Sequence, residues 1–340
     1  FNYSDDTWMF NASLGVTPQK RTIDRKVGKL YADTTMRMID YQPMIWLSWR
    51  KKKMRVSLNY NGRTRQPSLS DLMPLTDNSD PLYITRGNPD LKQMFMHTMH
   101  VSFQHPSKGI SANLGWQMEK NSVTQVVLYD VQTGGRETYP ININGNWNTY
   151  GSADWWKRFG HFSLKLSTSG RHSNRVSMIN EDRSQQPEKS TTRDTGLNCE
   201  MEASYQPTWG GFDFSTSWDY QYSLNSLNGN NTYTRYYNFR FDGYVDFPFG
   251  LQLRTDAGYI LRSGTNIQKG EDDEIVWNAR ATWRFLKQRK AELSAYWADI
   301  LGKRKSYARM ATSDGFYESR TQEIKGYFIV TFKYNFRLMM

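Results

Sequence analysis

Apolar and polar residues alternate with a period of two along most of this chain. In positions 325–337, one face carries apolar residues, namely Phe328, Val330, Phe332, Tyr334 and Phe336. The intervening residues are polar, among them Thr331, Lys333, Asn335 and Arg337. Successive side chains of a β-strand point to opposite faces, so the pattern predicts a strand with one apolar and one polar face.

The same alternation repeats from end to end and predicts about fourteen antiparallel strands. They lie near residues 7–20, 41–50, 54–65, 93–105, 110–128, 138–156, 161–178, 192–207, 211–225, 231–247, 251–264, 275–286, 291–303 and 318–336. Many of the polar faces are rich in Asn, Asp and Arg. Such faces are poorly suited to a dry core and favour the wall of a hydrated lumen.

Short and long connections alternate between these strands. The short ones, rich in Gly, Pro or Lys, are 51–53, 106–109, 157–160, 208–211, 248–250 and 287–290. The long polar ones are 20–40, 65–92, 130–137, 175–191, 226–230, 263–274 and 303–317. Outer-membrane barrels have short periplasmic turns and long extracellular loops, so this arrangement places the C-terminal end in the periplasm.

Composition agrees with an all-β antiparallel transmembrane β-barrel. The mean hydropathy is −0.76 and no run of apolar residues is long enough for a transmembrane helix. A wide barrel is polar on average because only one face of each strand meets lipid. The 12 Trp and 21 Tyr residues suit membrane interfaces, where one end of the ring is apolar and the other wet.

The connection 64–92 reads TRQPSLSDLMPLTDNSDPLYITRGNPDLK. With its Asp77–Leu82 and Gly87–Lys92 pieces in order before a strand, it resembles the outer membrane protein beta-barrel family, the C-terminal barrel segment of a subgroup of TonB-dependent receptors. One departure from the family is that Phe336 is followed by four more residues, whereas members often end on an aromatic residue.

The resemblance implies a 22-stranded barrel filled by an N-terminal plug and driven by an inner-membrane energy-coupling protein. Residues 1–340 would form the C-terminal part of that barrel, without the plug and the first strands. A complete smaller barrel is the alternative. The implied location is the outer membrane of a Gram-negative bacterium, where the chain would contact outer-membrane lipid and lipopolysaccharide and a surface lipoprotein or other envelope proteins.

The function expected from the resemblance is uptake of a nutrient such as an oligosaccharide, a peptide or a metal chelate. Three residues of the long connection 64–92 are the candidate substrate-binding residues because of their position in an outer loop: Arg86, Asn88 and Asp90. Two alternatives remain open. One is a passive or structural outer-membrane barrel acting in an envelope protein complex, and the other is a secreted soluble β-protein that binds glycans.

Aromatic residues near the short connections predict a girdle at the membrane interface: Trp155, Trp156, Trp209, Phe247 and Phe249. The alternative is a set of aromatic caps on a soluble barrel. Lysines and arginines at the same end suit lipid headgroups and suit simple solvation equally well.

Other chemistry finds little support in the sequence. The net charge of +11 is scattered, which argues against nucleic-acid binding. With Cys199 alone, neither an intrachain disulfide nor a cysteine-based zinc site can form. His97 and His100, three apart in a strand, face opposite ways and cannot share a metal. The acidic run 271–274 is better explained as a solvated loop than as a cation site. We expect no catalytic residues, no metal, no cofactor and no enzymatic activity.

Overall fold

In the computed structural model, the chain is built almost entirely of β-strands. The structure describes all residues except 28–29, 131, 181–186, 228, 230, 266, 268–272, 312–315, 322 and 337–340. The strands, numbered in chain order, are β1 (Asn2–Ser4), β2 (Trp8–Val27), β3 (Leu30–Lys51), β4 (Met54–Arg65), β5 (Thr76–Asp77), β6 (Tyr83–Arg86), β7 (Met94–His105), β8 (Ile110–Lys120), β9 (Ser122–Tyr129), β10 (Arg136–Ile143), β11 (Trp147–Phe159), β12 (Phe162–Asn180), β13 (Glu188–Tyr205), β14 (Gly210–Asn225), β15 (Asn231–Asp246), β16 (Leu251–Gly264), β17 (Glu274–Phe285), β18 (Ala291–Ala298), β19 (Ser306–Ala311), β20 (Phe316–Thr321) and β21 (Tyr327–Tyr334).

Helical structure is confined to short segments. Helix α1 (Leu69–Leu72) follows β4, and 3₁₀ turns span Pro106–Lys108 and Lys287–Arg289. None of the helices in the described part of the chain has the length and apolar character needed to cross a bilayer.

The strands form one large antiparallel meander, which confirms the predicted all-β antiparallel fold. Its order is β1, β2, β3, β4, β7, β8, β11, β12, β13, β14, β15, β16, β17, β18 and β21. Among the described residues, β1 and β21 each pair with one neighbour and form the edges, so the sheet is not closed. Strands β19 and β20 pair separately.

The two faces of the sheet differ in the way that the alternation predicts. Register places apolar residues of neighbouring strands side by side, for example Phe214 between Ala203 and Phe241. Many of these side chains are exposed, with Leu14 at 65%, Leu114 at 60% and Val330 at 60%. An apolar face of this extent marks a surface that meets another apolar phase, because soluble proteins seldom expose a contiguous patch larger than a few hundred Å².

Tight turns close the hairpins at one end of the sheet. Gly109 (φ 66°) and Gly250 (φ 87°) have left-handed backbone conformations there. A Cβ on Gly250 would stand 2.3 Å from the carbonyl oxygen of Arg284 on the neighbouring strand β17. Glycine is therefore required at this turn for both conformation and space.

The hairpin between β2 and β3 is longer than predicted. The sequence predicts a connection over 20–40, but the two strands stay paired from Trp8 and Trp49 to Val27 and Leu30. The prediction of a connection was wrong. It relied on apolar alternation, which residues 20–40 lack, but backbone hydrogen bonds between two strands do not require apolar side chains.

Two other predicted strands are each divided. The strand predicted at 110–128 breaks at Asn121, which has φ of 55° between β8 and β9. The strand predicted at 138–156 divides into β10 and β11. Together with β1, β5 and β6, which the alternation missed, these divisions bring the sheet to 19 strands in place of the predicted fourteen or so.

The predicted last strand, 318–336, is also divided. Residues from its start belong to β20, which pairs with β19, and only β21 joins the main sheet beside β18. Alternation in sequence did not reveal this change of partner.

Strands β9 and β10 leave the meander and form a hairpin above it. β10 pairs in parallel with β6, and the end of β9 pairs in parallel with the end of β12. We call the connection 66–93 together with the hairpin 122–143 the outer cap. Leu72, Met73 and Leu91 form a small buried core in it, against which Met36, Leu75 and Val123 pack.

Candidate functional site

A groove lies on the polar face of the sheet, at the end opposite the tight turns. It encloses about 680 Å³ and spans strands β8 to β15. We call it the outer groove. Its side chains are mainly amides, hydroxyls and charged groups, including Gln117, Asn148, Tyr150, Arg171, Ser173, Arg175, Asp194, Gln221, Ser223 and Thr234.

An aromatic ring lies on the wall of the outer groove. Tyr150 of β11 stands directly opposite Gly115 of β8. A Cβ built on Gly115 would stand 2.1 Å from Cζ of Tyr150, so the ring occupies the space that glycine leaves open. His100 of β7 also opposes Gly115 and stacks near the same ring, with centroids 6.3 Å apart and planes at 28°. The result is an aromatic surface that remains 41% exposed at Tyr150.

Arg171 lies beside this ring in a similar way. It opposes Tyr150 on one side and Gly196 on the other, and a Cβ on Gly196 would be 3.2 Å from its Nε. The side chain is exposed, and the described residues contain no carboxylate within ion-pair distance of it. Its charge is therefore open to an anionic group that enters the groove.

A second arginine in the groove is already paired. Arg175 donates through Nη2 to Oδ2 of Asp194 at 2.7 Å and through Nε to the same oxygen at 3.1 Å. The positive charge of Arg175 is therefore offset by the Asp194 carboxylate. Arg171 and Tyr150 are thus the groove residues best placed to bind a ligand with a ring and a negative charge.

Polar contacts join the groove to the base of the outer cap. Glu119 lines the groove and accepts a hydrogen bond from Ser122 Oγ of β9 at 2.7 Å. Asn146 donates to the same hydroxyl at 3.0 Å, and its Oδ1 accepts from the backbone N–H of Val176. The position of the cap is therefore tied to the wall of the groove.

The Gly87–Lys92 piece has a structural explanation. A Cβ on Gly87 would stand 1.9 Å from the carbonyl oxygen of Met73, so no other residue fits without moving the backbone. Asn142 of β10 accepts from the N–H of Lys92 at 2.7 Å and donates to its carbonyl at 2.9 Å. Leu91 enters the core of the cap. This piece fastens the connection to β10.

The three predicted substrate-binding residues lie together on the cap but have different surroundings. Arg86 Nε is 2.8 Å from Oε1 of Glu137, and its guanidinium lies 4.3 Å from the ring centroid of Tyr139. Asn88 donates to the carbonyl of Pro140 at 3.0 Å and accepts from the N–H of Asp90 at 3.0 Å. Asp90 is exposed. Their substrate-binding role stays a prediction, and Arg86 and Asn88 also hold the cap together.

The predicted aromatic girdle residues lie at the end of the sheet with the tight turns, in line with their predicted place. Trp155 opposes Ile110 and Leu166 on the apolar face, whereas Trp156 opposes Lys165 on the polar face and is 56% exposed. The turn residues Trp209, Phe247 and Phe249 pack in aromatic pairs, with Trp209 near Phe212 and Phe247 near Phe249. A role at a membrane interface stays a prediction for all five.

The residues set aside in the sequence have ordinary structural environments. His97 opposes Gly62 and bonds to Tyr60 through Nδ1 at 3.0 Å, on the face opposite to His100. Asp77 and Asp80 accept from the N–H groups of Ser79 and Leu82, two residues further on in each case, as aspartates in turns do. Among the described residues, no group of three or more His, Cys, Asp or Glu side chains is placed to hold a metal ion. Glu271 and Asp272 of the acidic run lie outside the described residues.

A row of carboxylates lies lower on the polar face, which the sequence analysis did not identify. Asp213 opposes Asp242, and Asp242 opposes Asp256 on the next strand. Arg254 makes a bidentate contact to Asp242 at 3.0–3.2 Å, and Asn278 donates to Asp256 at 2.6 Å. These contacts offset the repulsion between like charges directly opposite each other.

The sequence analysis also missed Tyr150 and Arg171. Both occupy polar-face positions in strands that it predicted, and both oppose a glycine. Only the register shows that each side chain lies over a glycine of the neighbouring strand, and the alternation does not determine register between strands.

The chain is similar in sequence to a known protein family. A model of the outer membrane protein beta-barrel family matches residues 31–229, more than half of the chain. The matched region contains the outer cap and all but the last strand of the outer groove. A search of curated proteins gives no match.

Proposed function

Because this chain belongs to the outer membrane protein beta-barrel family and lies in the outer membrane of a Gram-negative bacterium, we propose that it forms part of a TonB-dependent receptor. In this proposal its strands are the C-terminal part of a 22-stranded barrel that contains a plug. The receptor takes up a nutrient such as an oligosaccharide, a peptide or a metal chelate. Uptake draws on an inner-membrane energy-coupling protein.

The observation that carries the proposal is the outer groove. Its wall faces the lumen, because the opposite face of the same strands is apolar and exposed. Tyr150 and Arg171 present a ring and an unpaired charge within a wall of amides and hydroxyls, which suits recognition of a polar solute. The open edges β1 and β21 agree with further strands that complete a wider barrel.

The test is uptake by cells that carry variants of the full-length protein. Growth on single nutrients first identifies the substrate that a deletion strain fails to take up. Tyr150→Ala together with Arg171→Gln should then reduce uptake of that nutrient by at least tenfold, since two ligand contacts are lost. The matched control is Tyr259→Ala with Arg158→Gln, which alters a lipid-facing tyrosine and an arginine at the short-turn end of β11.

Energy dependence separates this proposal from passive diffusion. Removal of the inner-membrane coupling protein, or collapse of the proton gradient, should stop uptake by the unaltered receptor. Uptake that continues in de-energised cells and is unaffected by the groove variant would refute the proposal.

A structural role within an envelope protein complex is the second candidate. It is favoured by exposed apolar residues on the outer cap, with Leu69 at 47%, Leu82 at 45% and Tyr83 at 58%. Such residues are common at protein interfaces, where a surface lipoprotein or another envelope protein could cover them. Crosslinking at position 83 in intact cells, followed by loss of the crosslink in Leu82→Ser, would support this role.

A further inference from the structure

Two cations face each other on the lipid-facing side of the β2–β3 hairpin. Lys20 and Arg37 are a direct cross-strand pair. Both side chains are exposed, and the described residues place no carboxylate within ion-pair distance of either. Like charges directly opposite each other destabilise a strand pair. The pair would be stabilised by an anion bound between the two side chains.

The height of this pair above the periplasmic end can be derived from the register. Trp8 and Trp49 pair at the short-turn end of the same strands, with ring centroids 6.4 Å apart. Lys20 and Arg37 follow twelve positions further along each strand. A rise of about 3.3 Å per residue and a tilt of about 40° give a height of roughly 30 Å.

That height lies just outside the hydrocarbon layer. The apolar band of an outer-membrane barrel is about 25 Å tall, with aromatic residues at both borders. Trp8 and Trp49 mark the periplasmic border, and Tyr41 with Val16 lies on the apolar side of the cations. Lys20 and Arg37 therefore lie at the level of the outer-leaflet headgroups.

Other cations lie at a similar distance from the short-turn ends of distant strands. Arg193 is twelve positions from Tyr205 at the end of β13, and Arg235 is eleven positions from Asp246 at the end of β15. Arg193 of β13 and Arg235 of β15 are exposed on the lipid-facing side. The guanidinium of Arg235 lies 5.7 Å from the ring centroid of Tyr220 and 5.1 Å from that of Tyr233, as expected in an interfacial girdle. The outer border thus carries positive charge at several points. The other directly opposed cations of the described sheet lie elsewhere, with Arg50 and Arg55 near the short turn after β3 and with Arg254 and Arg280 on the polar face.

We propose that Lys20 and Arg37 bind a phosphate group of the lipopolysaccharide that forms the outer leaflet. A Cβ separation of about 5 Å lets both side chains reach one phosphate between them. Arginine suits this role because its planar guanidinium binds phosphate bidentately, and lysine adds a compact point charge. The site is independent of the uptake role and would exist in a passive barrel as well.

The experiment measures lipid binding to the delipidated full-length protein by native mass spectrometry. The variant is Lys20→Gln with Arg37→Gln, and the matched control is Lys51→Gln with Lys53→Gln at the periplasmic end of β3 and β4. We expect the variant to bind phosphorylated lipid A about twenty-five-fold more weakly, since each of the two cations near an anionic lipid contributes roughly fivefold. The control should bind as the unaltered protein does.

A second variant guards against misfolding. Lys20→Glu converts the repulsive pair to an attractive one with Arg37, so the hairpin should stay folded while phosphate binding is lost. Folding of each variant is checked by its resistance to unfolding in detergent at room temperature. Loss of lipid binding in folded Lys20→Glu supports the site.

Probes that differ in phosphate distinguish the source of the anion. Lipid A without phosphate should bind the unaltered protein weakly. Its affinity should not exceed that of the double variant for phosphorylated lipid A. Inorganic phosphate at millimolar concentration should not displace bound lipid A from the unaltered protein. Equal affinity of the unaltered protein for lipid A with and without phosphate would overturn the proposal. Displacement by inorganic phosphate would also overturn it, because the site would then bind a small free anion.

Discussion

The ring of Tyr150 fills the space above Gly115, the residue directly opposite it on the neighbouring strand. The side chain therefore lies along the lumen wall of the outer groove, with His100 beside it. Aromatic rings that cover cross-strand glycines fix the register of a sheet. At this position the same contact shapes the candidate binding surface.

Gly115→Ala tests this relationship. The new Cβ would stand 2.1 Å from Cζ of Tyr150, so the ring must leave the wall. We expect a loss of about 1–2 kcal/mol in the free energy of unfolding, typical of overpacking, together with weaker ligand binding in the groove. Gly258→Ala is the control, because a Cβ there meets no atom within 4 Å. Equal effects of the two substitutions in urea unfolding would contradict the account.

The outer cap provides a second prediction. Arg86→Ala removes the ion pair with Glu137 and the contact with Tyr139, both partly exposed. Contacts of this kind contribute on the order of 1 kcal/mol together, so amide hydrogen exchange in 83–86 should increase about fivefold. Asp90→Ala, at an exposed neighbour, should leave exchange unchanged. A substrate-binding role for Asp90 would then appear as lost affinity with an intact cap, and unchanged affinity in that variant would remove the role.

Two arginine pairs that join adjacent strands should differ in strength because their exposure differs. The side chains of Arg262 and Glu274 are 8% and 13% exposed, whereas those of Arg254 and Asp242 are 53% and 33% exposed. Glu274→Gln should cost about 3 kcal/mol because it removes the negative charge from an ion pair whose two side chains are largely buried. Asp242→Asn should cost at most about 1 kcal/mol. Chemical unfolding of the two variants measures the difference, and a larger loss for Asp242→Asn would be inconsistent with this structure.

The turn before β2 should show a pH-dependent contribution to stability. The Asp5 carboxylate accepts hydrogen bonds from the N–H of Trp8, the hydroxyl of Tyr3 and the N–H of Thr7, and these bonds lower its pKa. A lowered pKa in the folded state means that the stabilisation is present above the ordinary aspartate pKa. It is lost as the pH falls through the lowered value.

The corresponding experiment compares the unaltered protein with Asp5→Asn across acidic pH. The unaltered protein should be the more stable of the two near neutrality, and the difference should vanish below the lowered pKa of Asp5. A stability difference that stays constant over this range would show that the charge of Asp5 has no part in it.

Much of the fold could be predicted from local alternation, and what could not depends on contacts between distant residues. In β14, Phe214 and Trp218 alternate with Asp213 and Asp219, so the strand and its two faces are visible in the sequence. The break at Asn121 is not visible, because alternation resumes at once in β9. One residue in a left-handed conformation redirects the strand without changing the hydrophobic pattern.

The candidate site was harder to predict for the same reason. Loop position and the family resemblance suggested Arg86 and Asn88 as substrate-binding residues. In the structure both contact β10, some fifty positions away in sequence. The position of Tyr150 and Arg171 on the groove wall depends on their cross-strand pairing with Gly115 and Gly196, which the sequence alone does not give. Register between strands is set by backbone pairing across the whole sheet, which a single segment of sequence does not contain.

The central claim, that apolar faces meet lipid and polar faces meet water, is tested most directly at two adjacent residues of β13. Cys199 is the chain's only cysteine and is exposed on the apolar face, whereas Asn198 faces the lumen and bonds to Asp219 at 2.6 Å. The measurement is thiol labelling in lipid vesicles, with Cys199 in the unaltered protein and with Asn198→Cys in a Cys199→Ser background. A fluorophore on Cys199 should be quenched by lipid-borne quenchers, and the Cys199 thiol should react slowly with charged thiol reagents. The cysteine of Asn198→Cys should react rapidly with charged reagents, and a fluorophore on it should not be quenched from the lipid. Rapid reaction of Cys199 with charged reagents, without lipid quenching, would contradict the account.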